Sequence, residues 1–154
     1  MEIKEIKNRP DIDQHKKLWV YYNQFNKLLS ELRTKELSSE TVHTINDGID
    51  RVNSVTGTEK ELGKEIKNAQ SCIIKLIEKE HKLVTKNHYR NTWLAVGMAA
   101  FGIPLGVAFG TSFGNLAFIG LGLPIGMVIG IAVGSGMDKK AIEEGRQLDF
   151  EVKH

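Results

Sequence analysis

Apolar residues recur at helical spacing through the first ninety positions, after which the polar positions between them disappear. Leu18, Tyr22, Phe25, Leu29 and Leu32 follow one another at steps of 4, 3, 4 and 3, one stripe on a helix of about six turns. Asp11, after Pro10 and three before Gln14, supplies its N-cap. Ser38 and Ser39 offer a cap for a second helix with Val42, Ile45, Ile49 and Val52 on one side, broken at Thr56-Gly57. Thr58 with Glu61 forms a capping box that opens a third, whose stripe is Leu62, Ile66, Ala69, Ile73, Leu76 and Leu83 with a lapse at Glu80. With no proline and no glycine after Gly63, this helix is predicted to run unbroken through Arg90 to Trp93, with Cys72 packed at the edge of its stripe. The pattern predicts a helical bundle or coiled coil over 1–90. Its modest core is expected to be completed by further copies of the chain. Only the tail LDFEVK, 148–153, alternates like a strand, with Met1–Ile6 as its one obvious partner.

The block between Arg90 and Asp138 is different material. Its 47 residues include no Asp, Glu, Lys or Arg and hold 11 of the 15 glycines. An uncharged third of the chain excludes an ordinary water-soluble domain, and a four-residue glycine period excludes collagen. Within the block GIPLGVAFGTSFG, 102–114, is matched by GLPIGMVIGIAVG, 122–134, with the prolines in register. Residues 93–113 and 117–137 are each 21 long, about 31 Å as helix, and 114–115 supplies a turn. Two antiparallel spans are predicted, with Pro104 and Pro124 as candidate kinks. Gly102, Gly106, Gly110 and Gly114 line one groove and Gly122, Gly126, Gly130 and Gly134 the other, a tandem glycine zipper. Such grooves hold a hairpin together, dimerise an anchor, or assemble several hairpins into a pore.

The fold class expected is therefore an all-α membrane protein. A cytosolic helical domain (1–90) precedes a two-helix transmembrane hairpin (91–137) and a cytosolic tail (138–154). Lys82, Lys86 and Arg90 precede the first span, Lys139, Lys140 and Arg146 follow the second, and the turn has no basic residue. Both termini are thus expected in the cytoplasm, at a bacterial inner membrane, with Tyr89 and Trp93 at the interface. The first residues lack an apolar core, so no secretory signal is expected.

Charge adds one candidate site. Net charge is only +2, but on a helical wheel Lys60, Lys64, Lys67, Lys75, Lys79, Lys82, Lys86 and Arg90 fall within roughly 140° opposite the apolar stripe. The face is either simply solvated or a basic rail for an anion such as nucleic acid or lipid headgroups. Glu61 and Glu78 interrupt it, and no aromatic stacking partner occurs along that helix before Tyr89.

Chemistry is otherwise sparse. Gly57-TEKEL-Gly63-Lys64 misses the phosphate-loop pattern in spacing and has Glu65 where Ser or Thr is needed. The histidines at 15, 43, 81, 88 and 154 are scattered, with His81 and His88 seven apart on the predicted helix. Cys72 is a lone cysteine. No metal site, cofactor or enzyme is expected.

With its helical domain joined to the Gly102–Gly134 hairpin, the chain resembles small bacterial glycine-zipper membrane proteins. Its layout is similar to membrane effectors of abortive-infection antiphage systems such as Hailong. That resemblance implies an oligomeric channel whose cytosolic part binds single-stranded DNA made by a partner nucleotidyltransferase. The alternative is a membrane-anchored adaptor or scaffold without a pore.

Overall fold

The computed structural model describes residues 2–9, 12 and 15–152. Among them the regular elements are all helical, and they fall into two compact units. One gathers the chain up to Thr85 together with the tail from Leu148, and the other is Lys86–Gln147.

The first unit contains α1 (Lys16–Leu32), α2 (Ser39–Ser54) and α3 (Glu59–His81), with α3 packed against both of the others. The predicted stripes form its core. Leu18, Phe25, Leu29 and Leu32 are buried on α1, and Val42, Ile45, Ile49 and Val52 on α2. On α3 the buried residues are Leu62, Ile66, Ala69, Ile73 and Ile77, while Leu76 is half-buried. Cys72 is exposed and takes no part in that packing. Ser38 caps α2 by accepting the Thr41 N–H at 3.2 Å. The Thr58–Glu61 box caps α3, with the Thr58 N–H donated to Glu61 Oε2 at 2.8 Å. The first helix begins at Lys16, and the expected cap at Asp11 lies outside the described residues.

Residues 2–9 run beside α2 in extended form, tethered by two asparagines seven apart. Asn46 accepts the Lys4 N–H at 2.8 Å and donates to the Glu2 carbonyl at 3.0 Å. Asn53 does the same for the Lys7 N–H and the Glu5 carbonyl, at 2.8 and 3.2 Å. A side-chain amide carries both a donor and an acceptor, so each stands in for a strand neighbour. This bonding brings Ile3 and Ile6 into the core.

The tail is not the expected strand paired with the N-terminal segment. Over 148–152 it forms no strand and bends at Asp149, and Lys153 and Met1 lie outside the described residues. The Leu148 N–H donates to the Val84 carbonyl at 2.8 Å and the Phe150 N–H to Glu31 Oε2 at 3.2 Å. Leu148 and Phe150 are each 1% exposed, so core burial decides the tail's course.

The unbroken helix from Thr58 to Trp93 is also overturned. α3 stops at His81, Lys82 turns left-handed at φ 56°, and Asn87 does so again at φ 60° before the next helix. Lysine is costly in that conformation and is no helix-stop signal, so the break is not marked in the sequence by glycine or proline. Leu83 and Val84 leave the helical path to enter the core, at 7% and 2% exposure. His81 and His88 therefore belong to different helices, and Lys82 and Lys86 to none.

The second unit comprises α4 (His88–Gly97), a π-helical turn (Met98–Gly102), α5 (Ile103–Ser112), a short 3-10 turn (Leu116–Phe118) and α6 (Ile119–Glu143). The first three form one continuous helix, so two helices of 25 residues, His88–Ser112 and Ile119–Glu143, are long and apolar enough to cross a membrane. Only 22% of the most apolar window of each is buried, unlike the core helix of a soluble protein. Between them Gly114, at φ 64°, makes the turn, and Asn115 Oδ1 accepts the Ala117 N–H at 2.9 Å.

What the hairpin buries is backbone. Gly97, Gly102, Gly106 and Gly110 on the first helix and Gly122, Gly126, Gly130 and Gly134 on the second are all buried. A methyl group on Gly106 would stand 2.5 Å from the Ile119 carbonyl oxygen, and one on Gly134 2.5 Å from the Arg90 Cα. At Gly122, Gly126 and Gly130 the opposing backbone, from Gly102, Gly97 and Trp93, is closer still. Gly114, expected in this row, is exposed with open space about it, and Gly97 joins instead. Five residues separate Gly97 from Gly102, which in an α-helix would turn them roughly 140° apart. The wider π-helical turn, in which Ile103 N–H donates to the Met98 carbonyl, restores them to one face.

Candidate anion-binding cleft

The first turns of α1 and α3 meet around a cleft of about 730 Å³. Gly63 sits at the contact, and an added methyl there would lie 3.6 Å from both Leu18 Cδ1 and Tyr21 Cδ2, an ordinary packing distance. Gly63 and Leu18 are buried beneath it. Around this apolar floor stand Lys16 and Lys17 from α1 and Lys60, Lys64 and Lys67 from α3. The spacing 60, 64, 67 keeps the last three on one helical face.

Tyr21 fixes one of these cations. Lys67 Nζ lies 4.0 Å from the centroid of its ring. Lys67 also lowers the phenol's pKa, chiefly by hydrogen bonding and then by charge, with Lys17 adding to the effect and burial opposing it. At the rim, His15 Nε2 is 2.6 Å from Glu59, the acidic residue that lines the cleft. The arrangement sets five exposed lysines around a small apolar floor, with one carboxylate, Glu59, among them.

The lysines grouped from the sequence are thus divided. Lys60, Lys64 and Lys67 share the cleft with Lys16 and Lys17, which the helical-wheel reading of a single helix did not include. Lys75 and Lys79 lie farther along α3 and do not line it, and Lys79 pairs with Glu80 at 3.3 Å. Lys82 ends the helix, where its ammonium reaches the Lys79 carbonyl at 3.4 Å, and Lys86 sits in the following turn. The aromatic neighbour sought along α3 comes from α1. Its signal was the i, i+4 pair Lys17 and Tyr21 beside the α1 stripe.

A second cavity of about 900 Å³ beside residues 2–5 mixes Glu2, Glu5 and Glu36 with Lys4, Arg33 and Lys35, leaving no charge preference. Among the described residues no group of three or more His, Cys, Asp or Glu is placed to hold a metal ion. No protein-family model matches the chain, and neither the curated proteins nor the solved structures gave a match.

Proposed function

We propose that the chain is a membrane effector whose two apolar helices cross the bilayer as a glycine-zipper hairpin, and that several hairpins assemble into a pore regulated by the helical unit. The observation that carries the membrane part is the inversion of the hairpin. Glycine backbone lies inside, while Phe101, Ile103, Val107, Leu121 and Val128 point outward with 44–66% exposure. In water such a surface would drive aggregation, whereas lipid solvates it and leaves the backbone hydrogen bonds unchallenged. Regulation is supported by how the chain enters and leaves the helical unit. Val84 and Leu148, which bracket the inserted hairpin, are joined by a backbone hydrogen bond, so a shift at either bears on both spans. Basic residues at both outer ends of the hairpin and none in its turn support a topology with both termini in the cytoplasm of a bacterial cell. In an antiphage setting the regulator would be an anion such as single-stranded DNA from a partner nucleotidyltransferase.

A second reading, a membrane-anchored adaptor without a pore, is favoured by one observation. The glycine faces are used within a single hairpin, so any assembly must use the outward apolar faces. Reconstitution separates the two. Full-length protein in liposomes is expected to release entrapped ions and to cross-link as a higher oligomer. Tight liposomes containing folded, inserted monomer would establish the adaptor instead.

A further inference from the structure

We infer that the cleft between α1 and α3 binds a compact anion carrying two or more linked phosphates. Its volume, about 730 Å³, lies within the range of small-molecule sites. Two lysines from α1 and three from α3 line the one cleft, so its basic residues come from two helices and not from a single helical face. One phosphate cannot engage five ammonium groups at once, but a di- or triphosphate chain presents enough oxygens to do so. Glu59 is the one carboxylate among the five lysines that line the cleft, and its Oε1 lies 2.6 Å from His15 Nε2. Tyr21 holds the Lys67 ammonium in place before any ligand arrives, lowering the cost of ordering a long side chain. Leu18 and Gly63, both buried, give the cleft an apolar floor against which part of a ligand can pack. A strand-tracking site would continue along α3 through Lys75 and Lys79, which do not line the cleft.

The inference puts a compact polyphosphate in place of single-stranded DNA as the ligand of the regulated effector proposed above and rests on that reading only for what binding does to the membrane part. Nucleotides, inorganic polyphosphate and phosphorylated lipid headgroups all offer the required chemistry. The test is calorimetric titration of full-length protein in detergent with tripolyphosphate, ATP, a short-chain phosphatidylinositol bisphosphate and an oligothymidylate of about a dozen nucleotides. One tripolyphosphate per chain is expected, with affinity reduced at least tenfold in the double variant Lys17→Glu, Lys64→Glu and unchanged in Lys75→Glu. Tyr21→Leu should weaken binding about two- to fivefold, and Tyr21→Phe, which keeps the ring under Lys67 but loses the phenol oxygen, should weaken it less. A ligand-induced rise in melting temperature, lost in the double variant while its unliganded melting stays normal, separates lost binding from lost folding. The tightest of the three small probes identifies the natural source, and any order among them supports the site. Absence of tripolyphosphate binding overturns the inference. So does oligothymidylate binding that falls as much in Lys75→Glu as in Lys64→Glu, because the α3 face would then be an extended rail. Binding without ion leakage would defeat the pore and leave the cleft standing, and leakage without binding would do the reverse.

Discussion

The carboxylate of Asp138 caps the helix that carries Arg90: its Oδ2 accepts the Arg90 backbone N–H at 2.9 Å and its Oδ1 that of Tyr89 at 3.0 Å. These are among the orphan donors in the first turn of α4, and the local N-cap, Asn87, makes no side-chain hydrogen bond to them. Asp138 and Arg90 are also the two charges that bracket the uncharged block. A carboxylate only 6% exposed is thus satisfied by a helix terminus that also favours negative charge.

Asp138→Ala should therefore loosen the open end of the hairpin. Loss of the cap is expected to cost about 1–2 kcal/mol. Hydrogen exchange should speed up at Tyr89 and Arg90 and remain as in wild type at the Gly114 turn. Asp138→Asn, which keeps one acceptor oxygen, should be milder. Unchanged exchange at both amides in the alanine variant would show that water caps α4 as well as Asp138 does.

The glycines give a sharper contrast because the sequence contains its own controls. At Gly122 and Gly126 a single methyl would meet opposing backbone, while at Gly120 and Gly136 it would meet nothing within 4 Å. Alanine is therefore enough to force the helices apart. Gly122→Ala and Gly126→Ala should lower the thermal midpoint in detergent. Gly120→Ala and Gly136→Ala should hold or raise it, since alanine is the better helix former by about 1 kcal/mol. Equal behaviour of the four variants would mean that the glycine faces do not meet.

Phe150 tests how the tail belongs to the helical unit. Its side chain is 1% exposed in the same core as Phe25 and Leu28, although the hairpin separates it from them in sequence. Phe150→Ala should destabilise that unit by about 3–5 kcal/mol, read from chemical denaturation. Glu31→Ala should cost less, because it removes one acceptor for the Phe150 N–H and leaves the burial. A tail variant with wild-type stability would show that residues after Leu148 are not part of the core.

Periodicity made the three helices of the first unit legible, along with the stripes at Leu18–Leu32, Val42–Val52 and Leu62–Ile73 and the two caps at Ser38 and Thr58. These are local signals. Tertiary interactions decided the rest. The end of α3 at Lys82 is set by the burial of Leu83 and Val84 and has no punctuating residue. The Asn46 and Asn53 tethers pair residues more than forty positions apart. A strict four-residue glycine count placed Gly114 in the packed row and omitted Gly97, because a π-helical turn cannot be read from spacing alone. Half of the cleft was visible as Lys60, Lys64 and Lys67. Lys16, Lys17 and Tyr21 complete it only once α1 packs on α3.

A hairpin that crosses the bilayer, with the helical unit on the cytoplasmic side as proposed, can be tested with two cysteines. Cys72 is exposed on α3 and supplies a native probe of that side. Asn115, exposed in the turn, supplies the other once Cys72→Ala and Asn115→Cys are combined. The most direct measurement is labelling of intact cells with a membrane-impermeant maleimide. The hairpin topology predicts that the turn cysteine reacts from outside and that Cys72 reacts only after lysis. Protection of both positions until lysis, or reaction of both from outside, would contradict it.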